Sequence, residues 1–249
     1  MEIHKPKPWR GVREFLKEYV IIVVGVLTAL GAEQVAEAIR WGERTDNTER
    51  HLRAELAQSM ISAKVHIAQE ACEYAMLDRL RQALLQPGDD WTPPYVIAWP
   101  NGDRIGVMAI PIGGFPSEAW RNAQADGTAN HFDQAAGRSF SLAYGDVTAA
   151  SNLNAAQHMA WSELNSLAWP RRLDPQSRTE YLRLIMRLRE GVRMMATEGR
   201  ALLDEAAPLK VETGKVEDYG PSLKIYQGMC LQFRAGRKVI VAPDPGKGA

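Results

Sequence analysis

The sequence predicts a mainly all-α protein, in which an N-terminal transmembrane helix precedes an antiparallel helical bundle with a proline-rich loop and a small extended tail. Three observations predict it. An apolar run without charges lies near the start, and three later segments carry apolar residues at the spacing of a helix with one buried face. Pro87, Pro93, Pro94, Pro100, Pro111 and Pro116 then crowd into one stretch between the first two of those segments. The composition agrees: 249 residues, 45% apolar and 24% charged, are those of a chain that folds around a core. Thirty basic side chains balance thirty acidic ones, so no global positive field holds a nucleic-acid backbone, and nucleic acid is not an expected partner.

The transmembrane helix is the first element. From Tyr19 to Ala32 the run YVIIVVGVLTALGA carries no charge, and Glu18 and Glu33 bound it. A bilayer core takes roughly 20 helical residues, so the run is short by itself. Val12, Phe15 and Leu16 before it, and Val35, Ala36, Ala38 and Ile39 after it, prolong its apolar character. Lys17 can snorkel, and Trp9, Tyr19 and Trp41 stand where interfacial aromatics sit. A helix over residues 14–40 therefore spans, behind a cytoplasmic leader of residues 1–13. Two alternatives stand beside the anchor. A buried helix of a soluble protein is one, and a cleavable signal peptide ending at Ala29-Leu30-Gly31 is the other. Against cleavage, the leader contains Glu2, Glu14 and Glu18, and the following AEQVAEAIRWGER continues a helix.

Two features of the anchor point to partners besides the lipid bilayer. Gly25, Ala29 and Ala32 put small residues on one side, which lets another transmembrane helix, from a membrane protein or a second copy, approach closely. Glu33, Glu37, Arg40 and Arg44 form a polar line just beyond the apolar run, suited to an interfacial helix or a docking surface. Lys5, Lys7, Arg10, Arg13 and Lys17 precede the run, against Arg40, Arg44, Arg50 and Arg53 after it. That slight bias favours a cytoplasmic N-terminus.

The bundle is expected over residues 41–208. Leu52, Leu56, Met60, Ala63, Ile67, Ala71, Ala75, Leu80 and Leu84 mark its first helix, which Gln86-Pro87-Gly88 ends. The proline-rich loop over 86–116 holds YVIAW and GVMAIPI as brief extended pieces, either edge strands or covering loop. Ser117 predicts the N-cap of a short helix that Gly127 closes. Phe132, Ala136, Phe140, Ala143, Val147, Ala150, Leu153, Met159, Leu164 and Leu167 predict a second long helix, with Gly137 or Gly145 as possible breaks. Asp174-Pro175 opens a third, whose stripe runs from Tyr181 through Ile185, Leu188, Val192, Met195, Gly199 and Leu202 to Ala206. The tail over 209–249 is read as extended, with CLQF and KVIVA as a hairpin around Arg234-Ala235-Gly236-Arg237 and a frayed end.

The cysteine count follows from the same topology. Cys72 lies on the first bundle helix and Cys230 in the tail, so an oxidising compartment would let them form a bridge that straps the tail down. Two buried free thiols are the alternative. Trp91, Tyr95, Trp99 and Trp120 cluster near the proline-rich loop and are candidates for an aromatic docking surface, although aromatics there can equally cap the core.

Motifs of catalysis are missing from this sequence. It has no HExxH, CxxC, GxSxG or glycine-rich phosphate loop. His4, His51, His66, His131 and His158 include no pair three or four residues apart, so no helical metal site is predicted. No cofactor is expected, and no catalytic role. Met159, Met186, Met194 and Met195 are read as packing residues rather than copper ligands.

The stretch EYVIIVVGVLTALGAEQ, followed by a long charged helix, resembles the anchor of uncharacterised single-pass membrane proteins of Gram-negative bacteria. A looser similarity lies around Ser117-Glu118-Ala119-Trp120 and Gly127. The resemblance implies an inner-membrane anchor and a helical periplasmic domain, and it implies no activity. The expectation is thus an accessory or assembly subunit acting by protein interaction. The alternatives are a periplasmic ligand-binding or sensing module whose ligand lies between bundle and proline-rich loop, and a hydrolase without a recognisable motif.

Overall fold

A computed structural model of the chain describes residues 11–108, 113–213 and 220–242. Most of the expected leader, Tyr219 and the end of the tail beyond Ala242 lie outside the described residues. The chain divides into two units, residues 1–49 and 50–249. Helix α1 (Val12–Leu84) belongs to both, because no proline interrupts it and Gly42 continues the helix. In the first unit α1 presents its apolar side chains outward: Ile21 is 62% and Leu27 63% exposed, and none of its most apolar window is buried. Among the described residues it is the one helix long and apolar enough to cross a membrane. Thr28, within the run, satisfies its hydroxyl by donating to the Val24 carbonyl at 2.8 Å.

The second unit is a mainly helical domain. Its long helices are α1 from Arg50 onward, α3 (Gln134–Leu164) and α4 (Pro175–Ala206). Asp133 caps α3 by accepting from Ala135 N and Ala136 N, and Asp174 caps α4 by accepting from Ser177 N, with Pro175 at its first position. Gly137 and Gly145 leave α3 unbroken. The expected stripe of α4 is buried at Ile185, Leu188, Val192, Met195, Leu202 and Ala206. Met159 departs from the predicted stripe of α3 and is 72% exposed.

Helix directions follow from contacts along the chain. Arg178 donates to the Leu84 carbonyl at 3.0 Å, Arg200 pairs with Glu70 at 2.6 Å, and Arg53 donates to the Leu209 carbonyl, so α4 is antiparallel to α1. The Tyr144 hydroxyl, in the first half of α3, lies 3.0 Å from the Leu52 carbonyl oxygen, whereas Trp161 and Leu164 near its end cluster with Leu77 and Leu80. Helices α1 and α3 therefore run the same way. Two parallel neighbours need a connection that returns along the bundle, which is the physical reason for the long segment between them.

That segment carries β1 (Asp90–Trp91), β2 (Val96–Ala98), β3 (Arg104–Gly106) and helix α2 (Glu118–Ala125). The start of α2 is held from outside: Glu55 of α1 accepts from Ala119 N at 2.9 Å and from the Tyr144 hydroxyl at 2.9 Å. The Ser117 hydroxyl makes no cap bond, contrary to its predicted role, while Gly127 takes the left-handed conformation (φ 79°) after the helix. Strand β1 pairs antiparallel with β4 (Arg171–Arg172).

The tail corrects the sequence reading. CLQF is not a strand, and no hairpin forms with KVIVA. Helix α5 (Gly220–Arg234) occupies that stretch, and β5 (Val239–Val241) pairs parallel with β2, in register Val96↔Val239, Ile97↔Ile240 and Ala98↔Val241. Tyr226, Met229 and Phe233 are buried in the core at helical spacing, which decides the conformation. With β3 on its other side, β2 is central and wholly buried rather than an edge strand.

Candidate functional site

The site lies where α1 carries its buried polar residues. Two apolar clusters make up the core of the second unit. One joins Leu52, Leu56, Met60 and Ala63 to Phe140–Ala150 of α3 and to Met195 and Leu202 of α4. The other joins Cys72–Leu84 to Ala160–Leu164 and to Leu184–Val192, with Tyr226, Met229 and Phe233 of α5. Between these clusters, α1 buries His66 and Gln69, with Glu73 at the margin, and α3 supplies Asn154 and Gln157. Spacings of three and four residues put each set on one helix face.

This layer is short of hydrogen bonds. His66 Nε2, Gln69 Nε2, Glu73 Oε1, Asn154 Oδ1, Gln157 Nε2 and Trp161 Nε1 are sealed from solvent with no partner among the described residues. Each such group is expensive in a core, on the order of 1 to 3 kcal/mol, so this layer contributes less to stability than the apolar clusters on either side of it. The same neighbourhood contains satisfied groups. Ser62 donates to the Gly114 carbonyl at 2.8 Å and Asn154 to the Gly113 carbonyl at 3.1 Å, which pins the chain ahead of α2 to α1 and α3.

Burial sets the protonation of this layer. It pushes Glu73 up to about 8, with the nearby Glu70 charge adding to the rise, so Glu73 is a neutral carboxylic acid at pH 7. Burial lowers His66 to about 4, assisted by His158, so its imidazole is also neutral. Phe115 stacks on the His66 ring at 5.9 Å between centroids.

Beside the layer lies the disulfide. Cys72 of α1 and Cys230 of α5 are bonded, with Cα atoms 6.0 Å apart across a sequence separation of 158. The bridge holds α5 on the bundle, together with Phe233, which meets the Tyr95 ring edge-on at 5.0 Å and lies under the Arg79 guanidinium at 4.2 Å. Between α1 and α5 a cleft of about 290 Å³ opens beside both cysteines, lined by Gln69, Tyr226, Leu231 and Arg234 among others. Gln69 thus belongs to both features: it lines the cleft and is part of the polar layer.

The residues read from the sequence as docking candidates separate into two groups. Gly25, Ala29 and Ala32 lie exposed on α1, with no atom near the position of a Gly25 side chain. Glu33, Glu37, Arg40 and Arg44 are also exposed, and the line is knit along the helix: Trp41 donates to Glu37 at 3.4 Å and Arg44 lies 5.3 Å over the Trp41 ring. Trp91 and Tyr95 are corrected to core residues. Trp91 donates to the Leu167 carbonyl at 2.8 Å and Tyr95 to the Met76 carbonyl at 3.0 Å, and both are buried, so neither is available to a partner. Trp120 is half-buried and stacks on Tyr144 at 5.3 Å. Trp99 keeps 37% exposure.

The polar layer is what the sequence reading missed. Its signal was present: Ser62, His66, Gln69 and Glu73 follow one another at helical spacing on the face that is buried, whereas Ala71 and Ala75, read from the sequence as part of the apolar stripe, are exposed. No group of three or more His, Cys, Asp and Glu side chains that could hold a metal ion occurs among the described residues. Comparison of the chain with protein families, curated proteins and solved structures finds no match.

Proposed function

We propose that the chain is a single-pass protein of the bacterial inner membrane, with a cytoplasmic N-terminus and a periplasmic helical domain that acts by protein interaction. In this reading it is an accessory or assembly subunit of a membrane complex and performs no catalysis. The observation that carries it is the bare apolar stretch of α1, whose most apolar window has no side chain buried. Lipid is the solvent that removes that surface from water. The Cys72–Cys230 bond supports the placement, because disulfides persist in oxidising compartments such as the periplasm. The exposed small residues at Gly25, Ala29 and Ala32, and the polar line from Glu33 to Arg44, support contact with another membrane protein or a second copy.

Two measurements test the reading. Protease added to spheroplasts of the native host is expected to digest the part after Arg50, and protection of that part overturns the topology. Purification of the tagged full-length chain in mild detergent is expected to retain a membrane partner at near-equal amount. Recovery of the chain alone overturns the accessory role.

A further inference from the structure

We infer that the cleft between α1 and α5 is a binding site for a small organic anion with an apolar body. The inference concerns the second unit and stands independently of the membrane topology. Three kinds of side chain line the site: a buried amide, apolar groups and a cation. One is Gln69, which is 7% exposed and whose amide nitrogen, turned away from solvent, has no acceptor among the described residues. A buried donor without an acceptor costs desolvation free energy, and rotation of the Gln69 terminal amide would offer that donor to a ligand acceptor in the cleft. Ala68, Tyr226 and Leu231 give the lining its apolar part, and Leu231 is 68% exposed. Arg234, the exposed last residue of α5, also lines the cleft and has no ion pair among the described residues, so a positive charge stands open to an anion.

The frame is fixed. The Cys72–Cys230 bond holds α5 against α1 at the cleft, so the site is preformed and a ligand does not have to order the helix to bind. A volume of about 290 Å³ matches the small end of ligand pockets and excludes large cofactors. A carboxylate at Arg234, an apolar body on Leu231 and Tyr226, and an acceptor toward Gln69 describe a molecule the size of an aryl or short-chain carboxylic acid.

The experiment is a ligand-observed NMR titration of the oxidised, detergent-solubilised full-length protein with phenylacetate, alongside 2-phenylethanol as its uncharged counterpart. Saturable binding of phenylacetate is expected, with the alcohol and the Arg234→Gln variant each about tenfold weaker, the factor expected for one charge-assisted contact. Gln69→Leu is expected to weaken it as well. Because Arg234 is exposed, its variant keeps the fold, and migration of the unreduced protein on a gel checks that the bridge remains. Absence of saturable phenylacetate binding overturns the inference. So does equal affinity in Arg234→Gln, or equal binding of the alcohol.

Discussion

Glu73 and His66 give the core two opposite responses to pH. Glu73 holds its proton in the folded state up to about 8 but releases it near 4.5 when unfolded, so its contribution is complete below 4.5 and is lost as pH rises to 8. His66 is neutral in the folded state down to about 4 and protonates near 6.5 when unfolded, so its contribution is complete above 6.5 and is lost as pH falls to 4. Between 4.5 and 6.5 the two slopes cancel, and from 6.5 to 8 that of Glu73 acts alone. Urea unfolding of the full chain is expected to show, from these two groups, a flat midpoint in the first interval and a falling one in the second. Glu73→Gln removes the fall, whereas a fall that persists in this variant assigns it elsewhere. A different residue tests steric fit. The Asn165 side chain accepts from Val107 N at 2.9 Å and Met108 N at 3.1 Å, and it occupies the place where a Cβ on Gly106 would stand. Gly106→Ala is expected to destabilise by about 1 to 3 kcal/mol. In an Asn165→Ala background the same change should be milder, and equal losses in both backgrounds would refute the clash.

At the scale of elements, the tail separates what was legible from what was not. Helix α4 was readable from end to end because Asp174-Pro175 and one unbroken apolar stripe agree with each other. Helix α5 has the same kind of stripe in Tyr226, Met229 and Phe233, but glycine, the short length and the β-rich KVIVA beside it also fit a hairpin, and only the tertiary surface decides between them. Aromatics in the proline-rich segment failed for a similar reason. The carbonyls that satisfy Trp91 and Tyr95 belong to Leu167 and Met76, partners that no local pattern reveals. The bridge was legible because two cysteines allow a single intramolecular pair. One element-level test concerns β5, whose outer side is covered by a side chain. Gln232 donates to the Val241 carbonyl at 3.0 Å and accepts from Val241 N at 2.9 Å, as a neighbouring strand would. Gln232→Ala is expected to speed amide exchange at Val241 and to lower stability by about 1 kcal/mol, and unchanged exchange there would show that the contact is dispensable.

At the scale of the molecule, every buried hydrophobic side chain among the described residues lies at Leu52 or beyond. A chain beginning at Arg50 is therefore expected to fold without detergent, to keep the Cys72–Cys230 bond and to unfold cooperatively. Aggregation of that chain, or loss of its sharp transition, would mean that the first unit is needed for the second to fold. Closure of a loop across 158 residues contributes on the order of 4 to 5 kcal/mol in the chain-entropy picture. The same separation has a consequence for biosynthesis. Cys72 leaves the ribosome long before Cys230 exists, and in that interval its thiol has no intramolecular mate, right or wrong. Oxidative maturation of this protein thus presents no non-native isomer within the chain for an isomerase to unscramble. The errors left open to it are mixed disulfides with small thiols and cross-links with other chains, formed while Cys72 waits for Cys230 to be made.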